Sequence, residues 1–423
     1  MDAPFTNMRS LLGAFAEAMN LIDPNIENHH QQTAYMSFMI SREAGMSDEE
    51  VMLTVYASLL HDIGSIMFET SRTLAEIESQ AKEIALAGSQ MLSDLPGGGR
   101  ISNIIKYCQN SWRDLELLPE RERIENYTNA RISSVIHLSD VVSALIDPKT
   151  NILDQVKRIR GIASSLRGVE FSEEAVDSFL RVSEMEYVWL DLRFHPAFLM
   201  IFTGDIRPVS LERTAELTKF VSRVIDYRSP FTAMHSAGVS ASAGALASLC
   251  GMSAEDCTVM TIAGHLHDVG KLKVPRSILE KPGKLTEEEF NMIKEHPYNT
   301  RLILFPVDGF TKIADWAGFH HEKLNGKGYP FHFGDSQLDL GSRVMAVADI
   351  FSAVTELRPY RVGMKKDEAL KALWDNVRSG GICGDVVRVL EKNYDEVNRA
   401  RETASATEGR RYYESVSAEN GKV

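Results

Sequence analysis

Residues 253–270, SAEDCTVMTIAGHLHDVG, decide the fold of this chain. Ser253 is followed three residues later by the acidic Asp256, apolar residues then recur at helical spacing, and Gly270 ends the run. A Ser with an acidic residue three positions on is typical of a helix N-terminus, and the apolar spacing indicates an amphipathic helix. The segment therefore predicts a capped helix that ends in His-Asp-x-Gly.

The same helix occurs earlier in the chain, at residues 47–64, as SDEEVMLTVYASLLHDIG. An offset of 206 residues relates the two segments and the positions around them, and a later pair of segments, HLSDVVSAL and AVADIFSAV, matches at an offset of 209. The matching positions are His29 with His235, Gly45-Met46-Ser47 with Gly251-Met252-Ser253, His61 with His267, Gly64 with Gly270, and Asp140 with Asp349. The chain is therefore interpreted as an internal duplication.

Helical patterns dominate both copies, so we expect an all-α protein built from two helical bundles. Copy one is expected at residues 1–205 and copy two at 206–423. A linker helix is expected at 206–227, where the helical pattern covers Ser210–Tyr227. A polar, frayed tail is expected from about residue 410. Ser164–Glu184 and Leu373–Asn393 are each expected to form a closing helix. Strand-like alternation is limited to short stretches such as Phe198–Thr203.

Composition sets limits on the class of protein. The chain has 423 residues, 44% hydrophobic and 25% charged, with a net charge of −13. This is ordinary globular composition, and the acidic balance argues against general nucleic-acid binding, which needs a broad basic surface. No apolar run of about 18 residues suggests a membrane span, and the N-terminus lacks the basic flank of a signal peptide. The four cysteines include no C-x-x-C pair, so we expect reduced thiols and a cytoplasmic location.

Two segments of copy two combine imidazoles with carboxylates: HLHDVGKLKVP at residues 265–275 and HHEKLNGKGYP at residues 320–330. Neutral imidazole binds Zn, Fe, Mn, Ni or Co, and one carboxylate can bridge two cations through its two oxygens. We therefore expect a binuclear metal site. A lone helical His is more often a polar core residue than a ligand, and we interpret His137, His195 and His265 in that way.

Copy two resembles the HD-GYP family, metal-dependent phosphodiesterases of cyclic dinucleotides. The resemblance is carried by HDVGK, by HHEKLNGKGYP and by VADIFSAVTELRPYR at residues 347–361, and it runs from Tyr227 to Val397, about 170 residues. It implies tandem HD-type bundles and hydrolysis of cyclic di-GMP or 3′3′-cyclic GMP-AMP to the linear dinucleotide by a hydroxide that bridges two metals. The choice between these substrates, and whether hydrolysis continues to mononucleotides, stays open.

The resemblance also implies a set of metal ligands. One metal would be held by His235, His267, Asp268 and Asp349, and the second by Asp268, His296, His320 and His321. Fe or Mn is the family's usual metal, with Ni, Co or Zn as alternatives. Some members bind a third metal through a Glu one helical turn before the first His. Phe231 occupies that position here, so we expect two metals.

Substrate contacts follow from the same resemblance. The expected contacts are Lys271, Gly328, Tyr329, Pro330, Arg358 and Arg361. Lys271 and Asp268 are the expected catalytic residues. Lys271 and the two arginines are each expected to reach a phosphate oxygen of the substrate. Gly326 is expected to shape the rim of the substrate site together with Gly328, Tyr329 and Pro330. Tyr329 is also expected to pack on a base of the substrate. Asn325 stands where the family has Asp, which keeps a turn-forming side chain but removes a charge.

Copy one keeps only part of this set. His29, His61, Asp62 and Asp140 remain, with His30 adjacent, whereas Ser65 replaces the Lys. Ile84 falls opposite His296, and Cys108 and Gln109 fall opposite His320 and His321. Copy one is therefore expected to lack a second metal. Its four remaining residues form either a single-metal site or a vestigial hydrogen-bonded cluster, and we interpret copy one as a regulatory or dimerising module.

Two other functions compete with hydrolysis of a cyclic dinucleotide. One is a signalling module that binds the dinucleotide or a protein partner without turnover, which the complete ligand set of copy two disfavours. The other is a general HD phosphohydrolase of nucleotides or nucleic acid, which the GYP segment and the acidic net charge disfavour. Turnover separates the first alternative from the enzyme, and competition by mononucleotides separates the second.

Overall fold

The computed structural model describes residues 5–21, 28–68, 74–95, 97–118, 120–194, 207–226, 230–281, 283–356 and 363–420, with the side chains of 74–79, 120–127, 194, 230–233 and 413–420 left out. The expectations for His195, for Phe198–Thr203, for the Phe231 side chain and for Arg358 and Arg361 fall outside these residues. The chain forms two compact units, an N-terminal unit, Met8–Arg207, and a C-terminal unit, Pro208–Val423 with Met1–Asn7.

The N-terminal unit consists of helices in its described part. They are α1 (Met8–Asn20), α2 (His29–Glu43), α3 (Asp48–Leu60), α4 (Leu74–Ser93), α5 (Gly99–Tyr107), α6 (Trp112–Glu116), α7 (Glu120–Ala144), α8 (Ile152–Ser165), α9 (Glu173–Val182) and α10 (Glu186–Phe194), with a 3₁₀ turn at Ile63–Met67. Helix α2 packs against α3, α7 and α9. The core between them includes the fully buried Tyr35, Phe171, Phe179 and Trp189.

The C-terminal unit repeats this arrangement. Its helices are α11 (Leu211–Asp226), α12 (Pro230–Leu249), α13 (Ala254–Leu266), α14 (Arg276–Leu279), α15 (Glu287–Lys294), α16 (His296–Leu304), α17 (Thr311–Gly318), α18 (Leu340–Thr355), α19 (Lys366–Arg378), α20 (Gly384–Lys392) and α21 (Tyr394–Asn420), with a 3₁₀ turn at Val269–Lys273. Helix α12 packs against α13, α18 and α21. Two short strands, β1 (Thr6–Asn7) and β2 (Pro208–Val209), pair antiparallel, with Thr6 opposite Val209.

The turn before the His-Asp helix is the same in both units. Gly45 and Gly251 follow α2 and α12 with φ of +68° and +81°, a left-handed conformation that glycine adopts without strain. Ser47 then accepts a hydrogen bond from the backbone of Glu50 in a complete capping box, and Ser253 accepts one from the backbone of Asp256. These local signals explain why the duplicated sequence folds into the same helix pair twice.

A second shared feature is a close backbone contact. A Cβ built on Gly64 would lie 2.1 Å from the Ile84 carbonyl oxygen, and one built on Gly270 would lie 2.1 Å from the His296 carbonyl oxygen. Each glycine therefore lets the 3₁₀ turn that follows His-Asp rest directly on a neighbouring helix, α4 in the N-terminal unit and α16 in the C-terminal unit. The contact also places Ile84 of α4 at the position that His296 occupies in α16.

The all-α architecture predicted from the sequence is confirmed. Three segments differ from expectation. The closing helix expected over Ser164–Glu184 is shorter, because the chain turns at Gly168, with φ of +71°, and α9 begins only at Glu173. The sequence predicts one closing helix over Leu373–Asn393, but this is wrong, because a turn at Gly380, with φ of +73°, separates α19 from α20. The tail expected to fray from about residue 410 is helical to Asn420. None of the helices in the described part of the chain is both long and apolar enough to cross a membrane.

Candidate metal centres

The His-Asp pair of the C-terminal unit lies at the end of α13. His267 is fully buried, and its Nδ1 lies 2.8 Å from the Gly264 carbonyl oxygen in the last turn of the helix. Thr300 donates to the His267 carbonyl oxygen at 2.9 Å and accepts from the Gly270 N–H at 3.0 Å, which ties the turn to α16. The pair is therefore fixed by backbone contacts on both sides.

A first cluster of ligand atoms forms where α12, α13 and α18 meet. The ligand atoms of His235, His267 and Asp268 lie within 4.8 Å of one another. Asp349 of α18 joins them, with its Oδ1 3.2 Å from His235 Nε2. All four side chains are buried.

A second cluster lies beside the first and contains only imidazoles. His296 begins α16, and His320 and His321 follow α17. The ligand atoms of these three residues also lie within 4.8 Å of one another, and the Nε2 atoms of His296 and His320 are 3.1 Å apart. His321 Nδ1 lies 3.8 Å from Asp349 Oδ2, so Asp349 also borders this cluster.

Asp268 stands between the two clusters. Its Oδ2 lies 3.2 Å from His267 Nε2, whereas its Oδ1 lies 3.3 Å from His296 Nε2 and 3.9 Å from His320 Nε2. Burial alone would raise the pKa of this carboxyl, but His267 and Lys271 hold it well below its usual range. Asp268 is thus a carboxylate with one oxygen facing each cluster, which is the arrangement of a bridging ligand.

The protonation pattern of the histidines fits cations at both clusters. The Nδ1 atoms of His267, His296 and His320 each face a backbone carbonyl oxygen at 2.6–2.8 Å. A carbonyl can only accept, so each Nδ1 carries a proton, and in the neutral imidazole Nε2 then presents a lone pair. Two such lone pairs 3.1 Å apart repel each other unless a cation lies between them, and ligands about 2.1 Å from one ion have this spacing.

Buried ligand atoms that lack a hydrogen-bond partner also fit cations at the two clusters. His267 Nε2 and Asp268 Oδ1 are buried and have no hydrogen-bond partner among the described residues. Burial lowers the pKa of His296 and His320 well below the usual value and that of His321 to about 4, so these imidazoles are neutral, as metal ligands must be. Although burial opposes it, the Glu356 and Asp349 carboxylates raise the pKa of His235 to about 10. A metal would displace that proton.

The expected substrate contacts are placed as follows. Lys271 Nζ lies 2.5 Å from Asp268 Oδ2, and the Tyr329 ring lies 5.0 Å from the His321 ring. The Tyr329–Pro330 bond is cis, and Gly328 packs against the Glu322 backbone with no room for a side chain. Asn325 keeps the turn, because its Oδ1 accepts from the Lys327 N–H and its amide donates to the Ser379 carbonyl oxygen.

Two glutamates near the centre are missed by sequence reasoning. Glu356 Oε2 lies 3.0 Å from His235 Nδ1, so this ligand is backed by a carboxylate where His267, His296 and His320 are backed by a backbone carbonyl. Glu322 is buried and accepts from the backbone N–H groups of Phe331 and Phe333, which holds the GYP segment. Glu322 lies within residues 320–330 and Glu356 within residues 347–361, two of the segments that carry the family resemblance. Glu356 follows Asp349 by two helical turns, a spacing that could have indicated a shared face.

The N-terminal unit assembles the four residues that it retains. His29 Nε2 lies 3.0 Å from Asp140 Oδ1, and His61 Nε2 lies 3.1 Å from Asp62 Oδ2. The ligand atoms of all four lie within 4.8 Å of one another. Burial lowers the pKa of His29, but Asp140 and Asp62 raise it to about 9, whereas burial lowers the pKa of the neighbouring His30 to about 3. His29 is therefore the imidazole that faces the carboxylates.

The other half of the site is filled in the N-terminal unit. Ile84 is buried where His296 stands in the C-terminal unit. Gln109 donates to Asp140 Oδ2 at 2.7 Å, and Cys108 is fully buried. Of the histidines expected to be structural, His137 packs edge-on against Phe171, and burial lowers the pKa of His265 to about 3. Neither His137 nor His265 belongs to a described ligand cluster.

The fold and these clusters define a protein with two HD domains. HD domain models match residues 26–142 and 219–382, which together span well over half of the chain. The chain belongs to the HD-GYP family, with one HD domain in each unit.

Similar proteins agree with this assignment. The chain is 28% identical over 415 residues to 3′3′-cGAMP-specific phosphodiesterase 1 of Vibrio cholerae, covering 95% of each chain. It is 36% identical over 165 residues to a cyclic di-GMP phosphodiesterase response regulator of Xanthomonas campestris, covering 38% of this chain and 44% of that one. A crystal structure of a cyclic GMP-AMP specific phosphodiesterase of V. cholerae has a TM-score of 0.63 at 21% identity, covers 92% of this chain and 98% of that one, and shows the same fold.

Proposed function

We propose that the C-terminal unit is a metal-dependent phosphodiesterase that opens a cyclic dinucleotide, either cyclic di-GMP or 3′3′-cyclic GMP-AMP, to the linear form. The observation that carries this proposal is Asp268, whose two oxygens face two separate clusters of imidazoles. The names of the related phosphodiesterases of both dinucleotides support the substrate class. Turnover is therefore favoured over the alternative of a binding module.

The ligand sets proposed for two divalent metals, Fe or Mn, are those implied by the sequence. His235, His267, Asp268 and Asp349 would hold one, and Asp268, His296, His320 and His321 the other. When bound, two such metals neutralise charge on a phosphodiester and activate a water for attack on phosphorus. The residues of the chain supply neutral imidazoles in a fixed tautomer and a shared carboxylate between the two ions.

Lys271 has a further part in this proposal. Its ammonium lies 2.5 Å from Asp268 Oδ2, so it stands at the shared carboxylate and at the mouth of the centre. From there it can neutralise a phosphate oxygen once the carboxylate is shared between metals. Gly328, Tyr329 and Pro330 form the wall beside His321. The contacts expected of Arg358 and Arg361 remain predictions of the sequence.

The N-terminal unit is proposed to regulate or dimerise rather than to hydrolyse. Ile84, opposite His296, offers no ligand atom, and the amide of Gln109, opposite His321, donates a hydrogen bond to Asp140 Oδ2. A single site at His29, His61, Asp62 and Asp140 lacks the paired ions that in-line displacement uses. This unit is therefore proposed to lack phosphodiesterase activity.

The test is hydrolysis of both dinucleotides by the full chain reconstituted with Mn or Fe(II). The double variant His267→Ala, Asp268→Ala is expected to lose turnover. The matched double variant His61→Ala, Asp62→Ala, which changes the same motif in the N-terminal unit, is expected to retain it. No turnover by a wild-type chain of confirmed metal content would favour the binding module, and loss of turnover in the N-terminal variant would contradict the division of roles.

A further inference from the structure

Helix α15 holds an aromatic ring in solvent near the C-terminal metal centre. None of the eight residues of this helix is buried, and Phe290 is 42% exposed. The helix is stabilised by its own capping box, Thr286 with Glu289, and by an ion pair of Glu289 with Lys281 at 2.7 Å. The capping box and the ion pair hold α15 without burial of Phe290, so part of its ring stays accessible to a ligand.

A row of rings leads from the metal ligands to Phe290. The Tyr329 ring lies 5.0 Å from the His321 ring, and the Phe290 ring lies 6.3 Å from the Tyr329 ring at an interplanar angle of 79°. Two nearly perpendicular rings make a corner in which a flat heterocycle can stack on one ring and place its edge against the other. A base joined by one ribose to a phosphate at the metals would extend outward in this direction.

Lys294 places a hydrogen-bond donor beside the Phe290 ring. It lies one helical turn after Phe290, its Nζ is 4.8 Å from the Phe290 ring centroid, and it also lies 3.3 Å from the Asn291 amide oxygen. An ammonium donates to the O6 and N7 acceptors of guanine, whereas adenine presents an amino donor in place of O6. The charge at this position therefore favours guanine over adenine.

We propose that Phe290, Tyr329 and Lys294 form a guanine-binding subsite beside the metal centre. The proposal rests on the proposed function, because the guanine is that of the cyclic dinucleotide. Tyr329 is the wall of the subsite nearest the metals, Phe290 is the outer wall, and Lys294 selects the base. Both candidate substrates carry a guanine, so the subsite serves either one and disfavours cyclic di-AMP.

The test compares Phe290→Ala with wild type on cyclic di-GMP and on a base-free analogue, the same cyclic bis-phosphodiester built on 1-deoxyribose. Stacking of a base on an aromatic ring contributes roughly a 5- to 150-fold difference in affinity. Phe290→Ala is expected to raise KM for cyclic di-GMP by that factor with little change in kcat, and to leave kcat/KM for the base-free analogue unchanged. Lys294→Met is expected to narrow the preference for cyclic di-GMP over cyclic di-AMP by a factor of about 5 or more.

The control is Phe305→Ala, because Phe305 is 48% exposed, directly follows the adjacent α16 and also has a cation beside it, with Arg301 4.4 Å from its ring. It is expected to match wild type on both compounds. Equal KM values for Phe290→Ala and Phe305→Ala would overturn the subsite, and so would an equal loss on both compounds. Wild type that hydrolyses neither cyclic di-GMP nor 3′3′-cyclic GMP-AMP would instead remove the proposed function.

Discussion

Substitution of Gly270 by Ala is expected to disrupt the C-terminal metal centre, although Gly270 is not itself a metal ligand. The added Cβ would lie 2.1 Å from the His296 carbonyl oxygen and 2.8 Å from the Thr300 nitrogen, whereas real Cβ atoms keep at least 3.0 Å. The two backbones must therefore separate by about 0.9 Å. Metal–ligand distances tolerate only about 0.2 Å, so a shift of this size removes His296 from its cluster.

The same collision has a cost in stability. Overpacking of a closed contact destabilises a domain by about 1–3 kcal/mol, and each kcal/mol lowers the Tm of a domain of this length by about 2–4 °C. Gly270→Ala is expected to show this loss in calorimetry of the C-terminal unit. Its metal content after reconstitution with Mn is expected to fall, and its kcat for cyclic di-GMP to fall with it.

The duplication provides a matched control, Gly64→Ala. There the Cβ would lie 2.1 Å from the Ile84 carbonyl oxygen, so the steric cost is similar but no ligand of the proposed binuclear centre moves. This variant is expected to lower the unfolding temperature of the N-terminal unit and to leave metal content and turnover unchanged. Wild-type metal content and kcat/KM in Gly270→Ala would refute the reasoning.

Three other outcomes are expected. Glu356→Gln should weaken Mn binding in equilibrium dialysis by about 10- to 100-fold, because the carboxylate behind a metal-binding His is lost, whereas Glu408→Gln, an equally buried acid paired with an arginine, should not. Equal affinities in the two variants would contradict this. Burial raises the pKa of Asp226 from 3.8 to about 7, so its protonation stabilises the fold at low pH, and this contribution is lost as pH rises toward 7. Asp226→Asn should therefore raise the free energy of unfolding of metal-free protein above pH 7, by up to about 4 kcal/mol in denaturant titrations, with little effect near pH 4; a pH-independent difference would be inconsistent with it. Mn at 100 times its Kd should stabilise the C-terminal unit by about 2.7 kcal/mol, reversibly on chelation, and an unchanged denaturant midpoint would argue against metal in the folded state.

The duplicated helix and its cap could be predicted because the signals are local. Ser47 with Glu50, Gly45 and the His-Asp end lie within one short stretch, and each determines a contact with a near neighbour in sequence. The ends of the bundles depend on contacts that sequence spacing does not reveal. Gly380 breaks the expected closing helix through a left-handed turn that packs on Asn325, a residue more than fifty positions away.

At the metal centres, the sequence predicts which residues take part but not how their side chains pair. The residues expected at the metals lie in two adjoining clusters, and Asp268 lies between them. What spacing does not give is which oxygen faces which imidazole, or that Gln109 donates to Asp140 in the N-terminal unit. Both depend on the crossing of separate helices, since α7 and the segment after α5 approach each other only in the folded bundle.

The backbone support of the imidazoles bears on how such a duplicated chain diverges. The carbonyl behind His296 belongs to the helical backbone, so the histidine can be exchanged in one mutational step without leaving an unpaired side chain, as Ile84 illustrates. His235 is different, because its loss would leave the Glu356 carboxylate buried beside a missing partner. Among descendants of one ancestral repeat, loss of the histidine at position 235 should therefore be accompanied by a change at position 356, whereas position 296 can change alone.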